Sequence, residues 1–249
     1  ASESYLRLLL ETVEPAEAVH PRRHTILATA RPVYYDFDLF NQPGQSFELD
    51  QRPLAGLPYT VFDTETTGLN PRAGDEIVSI GAVRIGNGRL LASECFEQLV
   101  KPECALRPES IRIHGIQPEM LEGQPDVRQA LRSFQRFAEG TILVAHNAAF
   151  DMRLLQLQGE RSGLRFENPV LDTMLLSAVV HPAQDEHSLE AIAERLGVAI
   201  MGRHTALGDA IATAEIFLKL MPLLTAAGID TLKQAREASQ KTFYARVKY

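Results

Sequence analysis

Three stretches near the middle of the chain read as strands: TVFDTET (residues 60–66), EIVSIGAVRI (76–85) and LLASECFEQLV (90–100). Asn87-Gly88 lies between the last two, a pair suited to a tight hairpin, so the sheet is expected to begin with antiparallel strands. DVRQALRSFQRFAEG (126–140) then places Val127, Leu131, Phe134 and Phe137 on one helical face. The short apolar run TILVA (141–145) predicts a central strand buried on both sides. Helical patterns follow over 149–158, 173–180, 187–196, 206–223 and 230–242. The sum is an α/β fold: a mixed sheet of three strands first, then strands alternating with helices. Upstream, Tyr5, Leu6, Leu9 and Val13 recur at helical spacing over residues 3–19. Pro21, Pro32, Pro43, Pro53 and Pro58 then exclude a long regular element from 20–58. The expected organisation is a helix and proline-rich arm over 1–58, a main domain over 59–225, and a C-terminal helix and tail over 226–249 packed on it.

Composition narrows the function classes. A chain of 249 residues with 45% hydrophobic and 23% charged residues has the profile of a soluble globular protein. The net charge of −7 argues against broad attraction to nucleic acid or anionic membranes, while leaving room for a local site. Cys95 and Cys104 form neither a disulfide framework nor a four-ligand zinc site, and read as free thiols of a reducing compartment. The spacing of His20 and His24 to these cysteines matches no zinc finger. Glu11 interrupts the apolar run at Leu8-Leu9-Leu10, which has no basic leader, so neither signal peptide nor membrane span is expected and the location reads as cytoplasmic.

The chemistry begins with VFDTETTGL (61–69). Residues two apart on a strand share a face, so Asp63 and Glu65 project side by side. Like charges so placed repel, and a hard divalent cation with oxygen ligands relieves them. The alternative is a solvated strand end paired with lysine or arginine. In VAHNAAFDMRLL (144–155), Asp151 falls in the first turn of a helix, where the helix dipole alone would favour it. In GRHTALGDA (202–210), a loop carries His204 and Asp209 opens the next helix, which permits either convergence on one point or a surface histidine and an ordinary cap.

Taken together, the strand DxE, the strand-to-helix HNAxFD and the later HxxxxD resemble the motifs of the DEDD exonuclease superfamily. The histidine ahead of the last acid is similar to the DEDDh branch, which includes proofreading epsilon subunits of bacterial replicative polymerases. The resemblance runs from about Thr60 to about Leu223, supported by RIHGI (112–116), VLDT (170–173) and HSLEAIAERLGV (187–198) in family order. It implies a ribonuclease H-like fold and a 3′–5′ exonuclease that removes nucleoside 5′-monophosphates, with single-stranded DNA ends preferred. It further implies that Asp63, Glu65, Asp151 and Asp209 hold two divalent ions, Mg2+ or Mn2+, with Asp63 between them and His204 as general base. Thr66, Gly68, Leu69, His114, Asn147 and Phe150 match positions that meet the terminal nucleotide. Phe150 and His114 also have plain core readings.

Two segments outside this set invite partner readings. The tail KQAREASQKTFYARVKY mixes Lys233, Arg236, Lys241, Arg246 and Lys248 with Phe243, Tyr244 and Tyr249, which suits either a nucleic-acid strand or a terminal helix that buries its aromatics. YYDFDLF (34–40) resembles sliding-clamp peptides but has Asp36 where the usual glutamine stands; the alternative is an arm packed through Tyr34, Phe37, Leu39 and Phe40. The expected partners are nucleic-acid 3′ ends, DNA ahead of RNA, with a polymerase or clamp as a further possibility. Trimming of RNA ends, or a catalytically quiet binding module, are the competing functions.

Overall fold

The computed structural model describes residues 38–40 and 47–245. The helix expected over 3–19, most of the arm and the last four tail residues lie outside the described residues. Five strands form one sheet: β1 (Tyr59–Thr66), β2 (Ile77–Gly86), β3 (Arg89–Leu99), β4 (Ile142–Ala145) and β5 (Val170–Asp172), in the order β3-β2-β1-β4-β5. β1 pairs antiparallel with β2 and parallel with β4, and β4 is parallel to β5. This is the mixed sheet expected from the sequence. Asn87 and Gly88 both take positive φ (50° and 68°), the twist that a two-residue hairpin needs.

Helices cover both faces. α1 (Phe47–Asp50) and α2 (Pro108–His114) are short; α3 (Val127–Phe137), α4 (Ala148–Ser162), α5 (Thr173–Val180), α6 (Leu189–Leu196), α7 (Ala206–Ala226) and α8 (Leu232–Lys241) follow. α4 and α7 each run several residues past the ends their periodicity predicts, to Ser162 and Ala226. Side chains of Asp126, Asp172, Ser188, Thr205 and Thr231 accept N–H bonds at the starts of α3, α5, α6, α7 and α8. Such caps satisfy donors that the first turn leaves open.

Alternation along the strands builds two cores. On one face, Phe62, Ile80, Ala82, Leu143 and Ala145 pack with Leu131 and Phe134 of α3 and Phe150, Leu154 and Leu155 of α4. On the other, Tyr59, Val61, Val83, Ile85 and Val144 meet Ile192, Ile216, Phe217, Leu220 and Leu232. Tyr59 and Phe217 stand edge to face, 4.8 Å between ring centroids. β1 is buried along its whole length because both faces are covered.

The end of the arm contributes to these cores. Leu54 and Leu57 are buried in the second, and Leu39 in the first, in line with the packing alternative for the DFDLF stretch. Arg236 of α8 ties this segment down by donating to the Phe40 carbonyl at 2.6 Å and pairing with Asp50 at 3.3 Å. In the tail, Tyr244 is partly buried and donates to the Asp185 carbonyl, whereas Phe243 is 75% exposed. Among the described residues, no helix is long and apolar enough to cross a membrane.

Candidate active site

β1 outruns its parallel neighbour. Its pairing with β4 ends at Val61↔Val144, so Asp63, Thr64 and Glu65 continue beyond that partner at the carboxyl ends of three parallel strands. In open α/β sheets this edge is where ligands bind. Thr64 shares the side of Phe62 and α4, while Asp63 and Glu65 share the side of Val61 and α7. Helices from opposite faces can therefore both reach the same strand end.

From the α7 side comes Asp209, in the first turn after the Thr205 cap. Carboxylate oxygens of Asp63, Glu65 and Asp209 lie within 4.8 Å of one another, and all three residues are buried. Two glycines make this approach possible. Gly81 pairs with Asp63 across the β1–β2 ladder, and a Cβ there would stand 2.1 Å from the Leu207 nitrogen and 2.2 Å from the Ala206 carbonyl carbon. Likewise a Cβ on Gly208 would meet the Gly202 carbonyl oxygen at 2.3 Å. The helix start thus lies directly on the backbone of β2 and on its own preceding loop.

From the α4 side comes Asp151, wholly buried, whose Oδ1 accepts a bond from the Thr64 hydroxyl. It stands outside the trio but is anchored to the residue between two of its members. The turn ahead of it is fixed by Asp172 at the end of β5. That carboxylate accepts from the Asn147 N–H (3.0 Å), the Ala148 N–H (2.9 Å) and the Met174 N–H (2.9 Å), joining the starts of α4 and α5. Asn147 takes left-handed φ of 57° and makes no side-chain cap, so Asp172 does that work from another element. Burial pushes the Asp172 carboxyl up to about 7 despite its backbone donors.

His204 sits in the loop before α7 at φ 64°, half-buried, and its N–H donates to Asp209 Oδ2 at 3.3 Å. Its neighbour Arg203 reaches the same oxygen through Nη1 and holds Glu190 of α6 through Nη2 at 2.6 Å. Around the strand end, the Thr66 hydroxyl donates to the Gly68 carbonyl at 2.7 Å and Leu69 is 42% exposed. Gly68 has no room for a side chain, since a Cβ would lie 2.4 Å from Asp75 Oδ2. His114 is buried at the end of α2, where Nδ1 accepts the Ile116 N–H at 3.0 Å. Phe150 is fully buried in the first core, which is its packing reading.

The structure thus unites Asp63, Glu65 and Asp209, hangs Asp151 on Thr64, and ties the His204 backbone to Asp209. The donor set is all carboxylate oxygen, and one guanidinium offsets part of its charge; such a set fits a hard divalent cation. Thr64, Gly81, Asp172 and Arg203 had no role in the sequence reading. Asp172 had a signal in VLDT, while the others carry none, because their importance lies in contacts across elements.

Comparison with known proteins agrees. The exonuclease (RNase T) family profile matches residues 60–217. A DNA polymerase III subunit epsilon-like protein of Rhodobacter capsulatus is 49% identical over 219 residues, 87% of this chain; the chain spans only 31% of that relative's length. Exonuclease X in complex with 5′ overhanging duplex DNA is 26% identical with a TM-score of 0.56, covering 73% of this chain and 99% of that one. The nuclease domain of 3′hExo, a DEDDh family member bound to rAMP, is 20% identical with a TM-score of 0.61, covering 72% of this chain and 97% of that one, and so shares the fold. With a family match across most of the sheet and both acid-bearing helices, this chain belongs to the exonuclease family.

Proposed function

We propose that this chain is a metal-dependent 3′–5′ exonuclease that hydrolyses the terminal phosphodiester of DNA, with single-stranded ends preferred and nucleoside 5′-monophosphates released. The observation that carries this reading is the meeting of buried Asp63, Glu65 and Asp209 within 4.8 Å at the open end of β1. Together with Asp151 they would hold two divalent ions, Mg2+ or Mn2+. Such ions, when bound, hold the attacking and leaving oxygens of an in-line displacement and offset charge on the phosphate.

The remaining roles belong to side chains. His204 accepts a proton from the attacking water, a task suited to imidazole near neutral pH, and its loop position gives it access from solvent. Leu69, exposed beside the strand turn, would meet the terminal base; the Thr66 hydroxyl, bonded to the Gly68 carbonyl, shapes that turn, and His114 and Asn147 would contact the same nucleotide. Fully buried Phe150, next to Asp151 in the chain, would act through core packing. The negative net charge fits a substrate recognised at a narrow site and not by a broad basic surface. The likeness to an epsilon-like protein supports association with a polymerase.

End-labelled single-stranded DNA, paired DNA and RNA, each with Mg2+, Mn2+ or chelator, test the reading. The expected result is a ladder formed from the 3′ side only with metal, fastest on single-stranded DNA. Asp63→Asn should lower the rate by at least about 1000-fold, in the range expected when charge stabilisation at the reacting centre is lost. Faster RNA trimming would reassign the substrate, and metal-independent cleavage would overturn the mechanism.

A further inference from the structure

Arg203 is outside the acid set, yet its guanidinium lies against Asp209 Oδ2, the oxygen that also accepts the His204 N–H. Its other nitrogens grip Glu190 Oε1, at 2.6 Å from Nη2 and 2.8 Å from Nε. These two acids differ: Asp209 is 5% exposed at the side chain and belongs to the trio, whereas Glu190 is 56% exposed and outside it. A guanidinium shared this way has a partner to keep if the other is taken. Its side chain is 34% exposed, so part of it already faces solvent.

We propose that Arg203 is an exchangeable cation of the cage: it competes with divalent metal for Asp209 Oδ2, keeps only its Glu190 contact when metal enters, and thereby loosens His204 in its loop. This deepens the metal-dependent reading above and rests on it. Two positive species cannot share one carboxylate oxygen without strong repulsion at such short range. A metal that takes Asp209 Oδ2 therefore displaces Arg203 from that oxygen. Because Arg203 and the His204 N–H hold the same oxygen, the same event loosens residues 203 and 204, while Thr205 stays bonded to the Gly202 carbonyl. His204 sits in the left-handed region at φ 64°, and its N–H bond to Asp209 is one of the contacts that keep it there.

The test is Mn2+ binding to the full chain, followed by calorimetry and by the resonance of free Mn2+, for wild type, Arg203→Gln and Arg203→Lys. Removing the competitor should tighten Mn2+ binding about fivefold or more for Arg203→Gln, with Arg203→Lys between it and wild type, although each loses a hydrogen-bonding group. In metal-free protein, amide exchange at His204 should be faster in Arg203→Gln than in wild type and should gain little more from Mn2+. Unchanged or weaker Mn2+ binding in a folded Arg203→Gln protein overturns the exchange; if that variant does not fold, the same result in Arg203→Lys does so. Equal amide exchange in the two metal-free proteins overturns the loosening of His204. Failure of wild type to bind Mn2+ at all removes both this inference and the metal-dependent reading, whereas binding that is indifferent to Arg203 removes this one alone.

Discussion

Asp172 shows how a residue without a place in the acid set can govern it. Its carboxylate collects backbone donors from the starts of two helices, and the turn it fixes is the one from which Asp151 projects. Burial raises its folded-state value from 3.8 to about 7. A carboxyl raised on folding binds more protons in the native state, so stability is greatest below the unfolded value and falls as pH rises toward the folded one. The difference in unfolding free energy between wild type and Asp172→Asn should therefore shift against wild type by on the order of 2 kcal/mol from about pH 5 to about pH 7, then level off. Urea unfolding across that range measures it; a pH-independent difference would show that the native carboxyl is already ionised. At this scale the acids were legible in the sequence, because the strand period alone puts Asp63 beside Glu65. Arg203 was not: an arginine before a histidine in a polar loop looks like any solvated residue until Glu190, from a different helix, is placed opposite.

Elements decide how closely the acids meet. β2 and the start of α7 touch through backbone at Gly81, one ladder position across from Asp63. Gly81→Ala would place a methyl 2.1 Å from the Leu207 nitrogen, which only a shift of the helix can relieve. The expected cost is about 1–3 kcal/mol of stability, typical of overpacking, with a loss of nuclease rate of about 100-fold or more as Asp209 is carried away from β1. Thermal unfolding and initial rates on single-stranded DNA check both; full activity would mean that the helix start has slack. The hairpin at Asn87-Gly88, the buried run that became β4 and the helix over 173–180 were all read correctly, since each is written in local pattern or turn chemistry. Helices α4 and α7 were read short because their last turns pack or end through contacts that periodicity does not encode. The close approach at Gly81 was invisible for the same reason: a glycine in a strand does not say which neighbour needs the room.

For the whole molecule, the arm is the part that composition describes least well. Its prolines do exclude long elements, but Leu54 and Leu57 are buried in the second core and Leu39 in the first. Leu57, with no exposed surface, should be as costly to shorten as a residue from the sheet: Leu57→Ala is expected to destabilise the protein by about 2–5 kcal/mol. Denaturant unfolding tests this, and a loss under about 1 kcal/mol would mark the segment as a loose cover and not part of the core. Order along the chain has a further consequence. Asp63 and Glu65 emerge from synthesis early, on the first strand of the sheet, whereas Asp209 arrives on α7 after β4 and β5 have been made. A chain that lacks α7 carries three of the four acids but not the trio, so nuclease activity waits until residues 206–226 have been made and have folded onto β2.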